Sequence, residues 1–393
     1  MTIFSSGVRT DPSPARYGES QFRFLDRVSG DFWDAVRELV NLWFDHVPAE
    51  ARRDLQRRLT GADDHHFAGA FLELYLHEVL VRGGYDVRCH PPIPGTTRQP
   101  DFLASRDGDS FYLEARALGG SADGVAARNR LNAIYDQLDR LNSPNFFLWI
   151  NIDRAGTQPP PTKHLRARLE GWLRDLDPDA VSGQEAHLDR LPAFQWSERG
   201  WSITFRAIPK SPDARGREGV RPLGILGGLA AQWVDEAGPL RGALRDKGSS
   251  YGELDRGLVV ALGTSFFSRD SFGVLGALYG SDQVVIRFSD DGSEVVGQTR
   301  SPDGYFHVGG PSWGHRQVSG VLIVNNLHPA RVSQQVDTLW VHPDPHHPLN
   351  GPEVWARMVP TESELVREEP RTSPGDLLGL PEPWPPGEPF PGE

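Results

Sequence analysis

The hydrophobic pattern changes period along the chain, and each change predicts a different kind of element. Apolar residues at the helical spacing of three and four recur over residues 24–59, 66–82, 125–141 and 163–176. Alternation with period two, or a short continuous apolar run, predicts strands over residues 85–88, 99–104, 110–117 and 145–152. Gly83-Gly84 ends the second helix, and Asp107-Gly108 forms the turn between two strands. The first 180 residues therefore predict an α/β arrangement.

The second half of the chain repeats this mixture without a fixed period. The pattern predicts further strands over residues 201–208, 257–262, 283–288 and 318–325, and further helices over residues 229–247 and 272–279. We divide the chain into a loose N-terminal arm (1–20), a helical cap (21–62), an α/β core (63–180), a C-terminal α/β region (193–360) and a Pro-rich acidic tail (361–393).

Composition narrows the class of protein. The chain has 393 residues, 38% of them hydrophobic, and a net charge of −12, so it can bury a core but does not coat nucleic acid by bulk charge. A single cysteine excludes a disulfide framework. The sequence contains neither a secretory signal pattern nor an apolar stretch of bilayer length, so we expect a cytoplasmic protein without a membrane partner.

Three acidic residues occupy positions where a carboxylate is costly unless it is paired or binds an ion. Glu73 lies on the helix over residues 66–82, Asp101 follows Pro100 in a predicted strand, and Glu114 lies in the next strand. If the two strands are hairpin neighbours, cross-strand pairing brings Asp101 and Glu114 within reach of one ion. Converging carboxylates suit Mg²⁺ or Mn²⁺, which take oxygen ligands.

This ordered set resembles the PD-(D/E)XK nuclease superfamily, whose restriction-endonuclease-like core runs helix, three strands, helix, strand. The resemblance spans about residues 66–176 and rests on Glu73, Pro100-Asp101 and Glu114-Ala115-Arg116. It implies a mixed sheet, with the helical cap before it and the C-terminal α/β region after it. It also implies a Mg²⁺-dependent (or Mn²⁺-dependent) endonuclease acting on DNA, with Asp101 and Glu114 as metal ligands and Glu73 and Arg116 as further catalytic residues.

The chain departs from that family at one position, because Arg116 stands where the family has a lysine. Arginine does not lose a proton in proteins, but it can hold a phosphate or stabilise developing charge. Only three lysines occur in the sequence, and Lys163 is the one within the predicted core. We therefore take Arg98 and Lys163 as the candidate substrate-binding cations.

Each of these residues also has a purely structural interpretation. Glu73 can be a solvated helix residue, Asp101 can cap a turn, and Glu114 can pair with Arg116 along one strand face. The alternative hypothesis is accordingly a catalytically degenerate nuclease-like fold that serves as a module for binding nucleic acid or protein. The substitution at Arg116 and the acidic balance favour this alternative.

Two other motifs carry weaker chemistry. Residues 310–314 match the G-x-S-x-G elbow of serine hydrolases, with Asp337 and His342 in the matching order, but the elbow must lead from a strand into a helix and a strand-like run follows instead. His342, His346 and His347 lie among prolines, which is typical of an exposed loop, although zinc is conceivable. We rank both below the acidic set.

Overall fold

The computed structural model describes residues 2–119, 122–138, 140–181, 190–216, 223–226, 237–248, 250–264, 272–280, 282–289, 292–306, 313–361 and 364–390. The chain forms two compact units. The larger unit contains residues 1–13, 20–119 and 235–390, and the second contains residues 14–19, 120–234 and 391–393. The second unit is thus an insertion between two parts of the first.

The larger unit begins with four helices and continues with a β-hairpin. Its helices are α1 (Gln21–Arg27), α2 (Asp31–His46), α3 (Ala49–Leu59), α4 (Asp64–Arg82), α8 (Ala237–Gly248), α9 (Phe272–Tyr279) and α10 (Pro374–Leu378). Its strands are β1 (Asp86–Cys89), β2 (Phe102–Arg106), β3 (Asp109–Ala117), β8 (Gly257–Thr264), β9 (Asp282–Ser289), β10 (Gly292–Arg300), β11 (Val318–Asn325), β12 (Thr338–Val341), β13 (Ala356–Pro360) and β14 (Leu365–Glu368).

Eight of these strands form one mixed sheet, so the predicted mixed α/β class is confirmed. The order across this sheet is β1-β2-β3-β8-β11-β12-β13-β14. Strands β1, β2 and β3 pair antiparallel, whereas β3, β8 and β11 pair parallel. The turn between β2 and β3 is the predicted Asp107-Gly108, and both residues have the positive φ that a tight hairpin turn requires.

The two faces of the eight-stranded sheet bury different helices. On one face α4 packs against residues such as Phe111 and Leu113, and its first turn is capped by the Asp63 side chain, which accepts a hydrogen bond from the His65 amide. On the other face α8 buries Leu240 and Leu244 against β3 and β8. The sheet is therefore covered by helices on both faces, as expected when its central strands are parallel.

The second unit has its own sheet and core. Its described elements are α5 (Ala122–Leu138), β4 (Phe146–Arg154), α6 (Leu165–Arg174), α7 (Pro178–Val181), β5 (Ala193–Glu198), β6 (Trp201–Pro209) and β7 (Leu223–Leu226). The strand order is β5-β6-β4-β7. Trp196 and Trp201 fill its core together with Phe205 and apolar residues of α6.

The structure differs from the predicted organisation at residues 120–180. The run that predicts the fourth core strand is β4, which pairs with β6 and β7 in the second unit. The strand that lies parallel to β3 is instead β8, more than 100 residues further along the chain. Both strands are apolar and well buried, so the sequence pattern alone does not distinguish them.

The termini also differ from the expected loose arm and tail. The side chain of Phe4 is buried, and its amide donates a hydrogen bond to Asn41 of α2. Near the C-terminus, the Pro389 carbonyl accepts a hydrogen bond from the Trp33 indole at 2.8 Å, and Trp384 packs against the hydrophobic core around α4. A few large anchors therefore dock segments that could not order themselves in isolation.

Candidate functional site

The hairpin of β2 and β3 brings Asp101 and Glu114 together. Phe102 pairs with Leu113, so Asp101, one residue before β2, lies across from Glu114. The Asp101 carboxylate accepts a hydrogen bond from the Ala115 amide at 2.7 Å. The cross-strand arrangement predicted for these two acids is confirmed, although β2 begins after Asp101 rather than before it.

Glu114 is buried, and the surroundings of Asp101 oppose a negative charge on its carboxylate. The Glu114 side chain is only 3% exposed. Burial raises the pKa of Asp101 well above its ordinary value, and the neighbouring charges of Glu114 and Glu73 raise that pKa further. The Ala115 amide and Lys247 act in the opposite direction but do not cancel these effects. The raised pKa of Asp101 therefore reflects burial first and the two neighbouring carboxylates second, and a cation bound there would favour the charged form.

Lys247 and Tyr251 are the partners of Glu114, and sequence reasoning missed both. One Glu114 oxygen accepts from the Lys247 ammonium, and the other accepts from the Tyr251 hydroxyl. Burial and this hydrogen bond raise the pKa of Tyr251, so the hydroxyl stays protonated as a donor. The buried glutamate is thus satisfied by one charged and one neutral donor.

The parallel pairing of β3 with β8 explains how Lys247 reaches the site. Glu114 pairs with Val260 of β8, and α8 lies just before β8 in the chain. Because α8 buries its apolar side against this face of the sheet, its last turn comes to lie over Glu114. We call residues 246–248 and 250–251 the α8 turn.

The α8 turn also contacts the two arginines predicted for the site. Arg116 lies two residues beyond Glu114, and its guanidinium is 3.1 Å from the Asp246 carboxylate. The Arg98 guanidinium donates to the Ser250 hydroxyl at 2.7 Å. Side chains two residues apart in a strand share a face, so Glu114 and Arg116 lie on the same side of the sheet. The α8 turn therefore contains Lys247 and contacts both Arg98 and Arg116.

Glu73 is close enough to Asp101 to influence its pKa, but its carboxylate is bound elsewhere. Both Glu73 oxygens accept from the Arg58 guanidinium, at 2.6 and 2.5 Å, in a bidentate pair. Arg58 lies on α3, in the predicted helical cap. The third acid is thus held by the cap, and the two acids of the hairpin are left as the direct ligand candidates.

The interpretation of Lys163 as the substitute lysine changes with the fold. Lys163 lies in a 3₁₀ helix, Thr162–His164, of the second unit, and its side chain is outside the described part of the structure. Lys247 instead contacts Glu114 within the larger unit. The signal that could have found Lys247 is its position at the end of a predicted helix that precedes an apolar strand, the order that the resemblance requires after the third strand.

The donor chemistry fits a magnesium site of a simple kind. Within the residues that the structure describes, no group of three or more His, Cys, Asp or Glu side chains is arranged to hold a metal ion. Magnesium, however, keeps several waters and is commonly bound through one or two carboxylates. Asp101 and Glu114 supply two, and burial followed by the neighbouring charges of Glu114 and Glu73 raises the pKa of Asp101.

The alternative motifs do not assemble in the described residues. Ser312 of the G-x-S-x-G match lies outside them, and Asp337 is bound to Tyr75 and Gln335 rather than to a histidine. Nδ1 of His342 accepts from the Asp344 amide, so Nε2 donates to the Gly314 carbonyl at 2.7 Å. Burial lowers the pKa of His342 to about 4, which suits a neutral structural histidine.

No family model matches this chain, and no curated protein or solved structure matches it either. The helices in the described ranges include none long and apolar enough to cross a membrane. The geometry around Asp101 and Glu114 is therefore the feature of this chain that indicates a function.

Proposed function

We propose that the protein is a metal-dependent nuclease that hydrolyses phosphodiester bonds of DNA. The observation that carries the proposal is the buried Glu114, which lies across the hairpin from Asp101 and is bound by the ammonium of Lys247. Two carboxylates for a divalent cation and a lysine beside them form the set that the PD-(D/E)XK resemblance implies. Element order supports the same proposal, because within the larger unit, once the inserted residues 120–234 are set aside, α4, β1, β2, β3, α8 and β8 follow one another as helix, three strands, helix and strand.

In the proposed mechanism, Asp101 and Glu114 would hold the ion and the surrounding cations would hold the phosphate. An ion held there would supply a bound water of lowered pKa as nucleophile at neutral pH and would offset charge on the phosphate. Lys247 extends an ammonium into the same space, where it stabilises negative charge that develops during the reaction. Arg116 can hold two phosphate oxygens with its planar fork once the phosphate replaces Asp246.

Arg98 and Glu73 have supporting roles in this proposal. Arg98, held by Ser250 at the edge of the α8 turn, contributes a further phosphate contact along the strand of DNA. Glu73 adds negative potential near Asp101, while both of its own oxygens accept hydrogen bonds from Arg58. The attraction between these few cations and a phosphate is local and does not require the whole protein to be basic. The net charge of −12 is therefore compatible with DNA as the substrate.

Plasmid cleavage in Mg²⁺ or Mn²⁺ tests the proposal. We expect the wild type to nick or linearise DNA, and we expect Asp101→Asn and Glu114→Gln to reduce the rate by at least about 10²-fold. Asp86→Asn is a matched control, since Asp86 lies on β1 of the same sheet with a side chain that is 74% exposed. Equal cleavage by wild type and by both site variants would show that the activity belongs to a contaminant.

A second candidate function is a nuclease-like binding module without catalysis. It is favoured by one observation, namely that Glu114 and Glu73 already have their oxygens satisfied by Lys247, Tyr251 and Arg58. Calorimetry with Mn²⁺ separates the two functions. Saturable binding that disappears in Glu114→Gln supports the nuclease, whereas wild-type protein that binds DNA but no Mn²⁺ supports the module.

A further inference from the structure

The helical cap contributes one charged residue to the surroundings of the proposed metal site. Arg58, near the end of α3, binds both oxygens of Glu73 and also the Asp54 carboxylate one turn earlier at 2.8 Å. The Glu73 and Arg58 side chains are only 15% and 23% exposed. A bidentate pair that is largely removed from water holds its geometry much better than an exposed ion pair.

The space around this pair is partly apolar. Arg58 and Glu73 line a cleft whose other walls include Leu55, Leu74 and Phe102. Low local dielectric strengthens the interaction between the two charges and also the interaction of Glu73 with Asp101. The charge of Glu73 is one cause of the raised pKa of Asp101, so the two carboxylates are electrostatic neighbours.

We propose that Arg58 is a positioning residue that holds Glu73 away from the metal, and so restricts the ligands to Asp101 and Glu114. This inference rests on the proposed function, because it concerns the same site. Glu73 contributes negative potential to that site without ligating the ion, and Arg58 limits how much of that potential the ion experiences. A residue of the cap, outside the motif that carries the resemblance, thus sets both the ligand number and the charge of the site.

Removal of Arg58 has an effect that a loss of packing would not produce. In Arg58→Ala the Glu73 carboxylate is freed and the site gains one uncompensated negative charge. We expect Mn²⁺ to bind on the order of tenfold more tightly, because the added attraction acts in a partly buried site. We expect DNA cleavage to fall about tenfold at the same time, because a third ligand alters the coordination that positions water. A merely structural defect would weaken both.

The chain provides matched controls. Arg57 is the next residue on α3, pairs with the same Asp54 and has a side chain that is 78% exposed, so Arg57→Ala removes an equal charge from the cap without touching Glu73. Arg58→Lys keeps the charge and should retain nearly wild-type Mn²⁺ affinity. In the double variant Arg58→Ala/Glu73→Gln the extra charge is absent, so the affinity should return toward that of the wild type.

The experiment is calorimetric titration of the full chain with Mn²⁺, accompanied by plasmid cleavage and thermal unfolding of each variant. Tighter binding in Arg58→Ala, reversed by Glu73→Gln and absent in Arg57→Ala, supports the inference. An unchanged or weaker affinity in a folded Arg58→Ala protein overturns it while leaving the nuclease proposal intact.

Glu73→Gln alone keeps the inference testable if Arg58→Ala does not fold. A held, non-ligating Glu73 predicts that this variant loses at most about tenfold in Mn²⁺ affinity, whereas Glu114→Gln loses measurable binding. Equal loss in the two variants would make Glu73 a ligand and overturn the inference. Wild-type protein that neither binds Mn²⁺ nor cleaves DNA overturns the proposed function itself, and that result is distinct from every outcome above.

Discussion

The larger unit buries carboxylates at Asp337 and at the pair of Asp101 and Glu114, and of these two regions the second has the features of a reactive site. Asp337, directly before β12, is 1% exposed and accepts hydrogen bonds from the Tyr75 hydroxyl at 2.8 Å and from Gln335 at 2.9 Å. Burial raises the pKa of Asp337 to about 7. Burial also raises the pKa of Asp101, but there the charges of Glu114 and Glu73 add to the effect.

The difference between the two regions lies in their neighbours rather than in burial. Asp337 is enclosed by neutral donors that satisfy it in place, which is a structural arrangement. Asp101 and Glu114 lie among other charges, including Lys247 and the exchangeable pair of Arg116 with Asp246. A raised pKa alone therefore does not distinguish the two regions, whereas the convergence of acids and cations on one sheet face does.

The largest expected effect concerns Lys247. We expect Lys247→Ala to lower DNA cleavage about 10³-fold, because it removes the cation that the proposed mechanism puts beside the reacting phosphate. Mn²⁺ affinity should stay equal or increase, since the variant removes a positive charge that is bound to Glu114. Lys247→Arg should retain part of the rate.

Single-turnover cleavage and Mn²⁺ calorimetry measure these two quantities separately. If Lys247→Ala cleaved DNA as fast as the wild type, the cation beside Glu114 would no longer distinguish the Glu114 region from the Asp337 region. Arg116→Ala is expected to have a smaller effect, about tenfold, because Arg116 pairs with Asp246 and has only a phosphate-holding role in the proposed mechanism.

The sequence predicted the local parts of this arrangement and missed the non-local ones. The helix α4, the hairpin turn at Asp107-Gly108 and the pairing of Asp101 with Glu114 depend on spacings of a few residues. Glu114 and Lys247 are in contact although they are 133 residues apart in the sequence, with the inserted second unit between them in chain order. Periodicity reports which face of an element is buried, but it does not report which element covers that face.

The choice of fourth strand illustrates the same limit. Strand β4 alternates buried and partly buried positions, and β8 is buried along nearly its whole length, yet both appear in sequence as short apolar runs. Only pairing across the sheet assigns β8 to the site and β4 to the second unit. The C-terminal segment shows a related effect, since Trp384 packs against the main core despite a composition typical of disorder.

The next largest effect concerns the stability of the Asp337 region. Its folded pKa of about 7 lies above the ordinary aspartate value of 3.8, so the charge of Asp337 costs stability as the pH rises from about 4 through 7. Asp337→Asn removes this cost and should stabilise the protein at pH 8 by on the order of 3 kcal/mol. The gain should shrink toward zero near pH 4.

Urea denaturation of the full chain at pH 5 and pH 8 measures this dependence, with Asp86→Asn as the exposed control. Cleavage by Asp337→Asn should equal that of the wild type at neutral pH, since Asp337 has no role in the proposed site. An equal destabilisation at both pH values would instead show that the hydrogen bond from Tyr75 needs a charged acceptor.

Metal binding should distinguish the two regions by a smaller change in stability. At a Mn²⁺ concentration of about one hundred times its dissociation constant, the wild type should gain about 2.7 kcal/mol, because the ion binds only the folded state. Asp337→Asn should gain the same amount, and Glu114→Gln should gain nothing. Thermal unfolding with and without Mn²⁺ provides the comparison, and a gain retained in Glu114→Gln would place the ion elsewhere.

The smallest expected effect uses the single cysteine as a reporter of the site. Burial raises the pKa of Cys89 to about 11, and the charges of Glu50, Asp101 and Glu73 contribute to this rise. Alkylation by iodoacetamide requires the thiolate, so it should be slow at pH 8.5. Mg²⁺ bound at Asp101 would offset part of that negative charge, lower the pKa of the thiol and speed alkylation by about two- to threefold.

Mass spectrometry of the whole chain follows the reaction, since no other cysteine occurs in the sequence. The Asp337→Asn variant should show the same Mg²⁺ response as the wild type, whereas Asp101→Asn should show none. A rate in wild-type protein that Mg²⁺ leaves unchanged would argue that the ion does not bind beside Asp101.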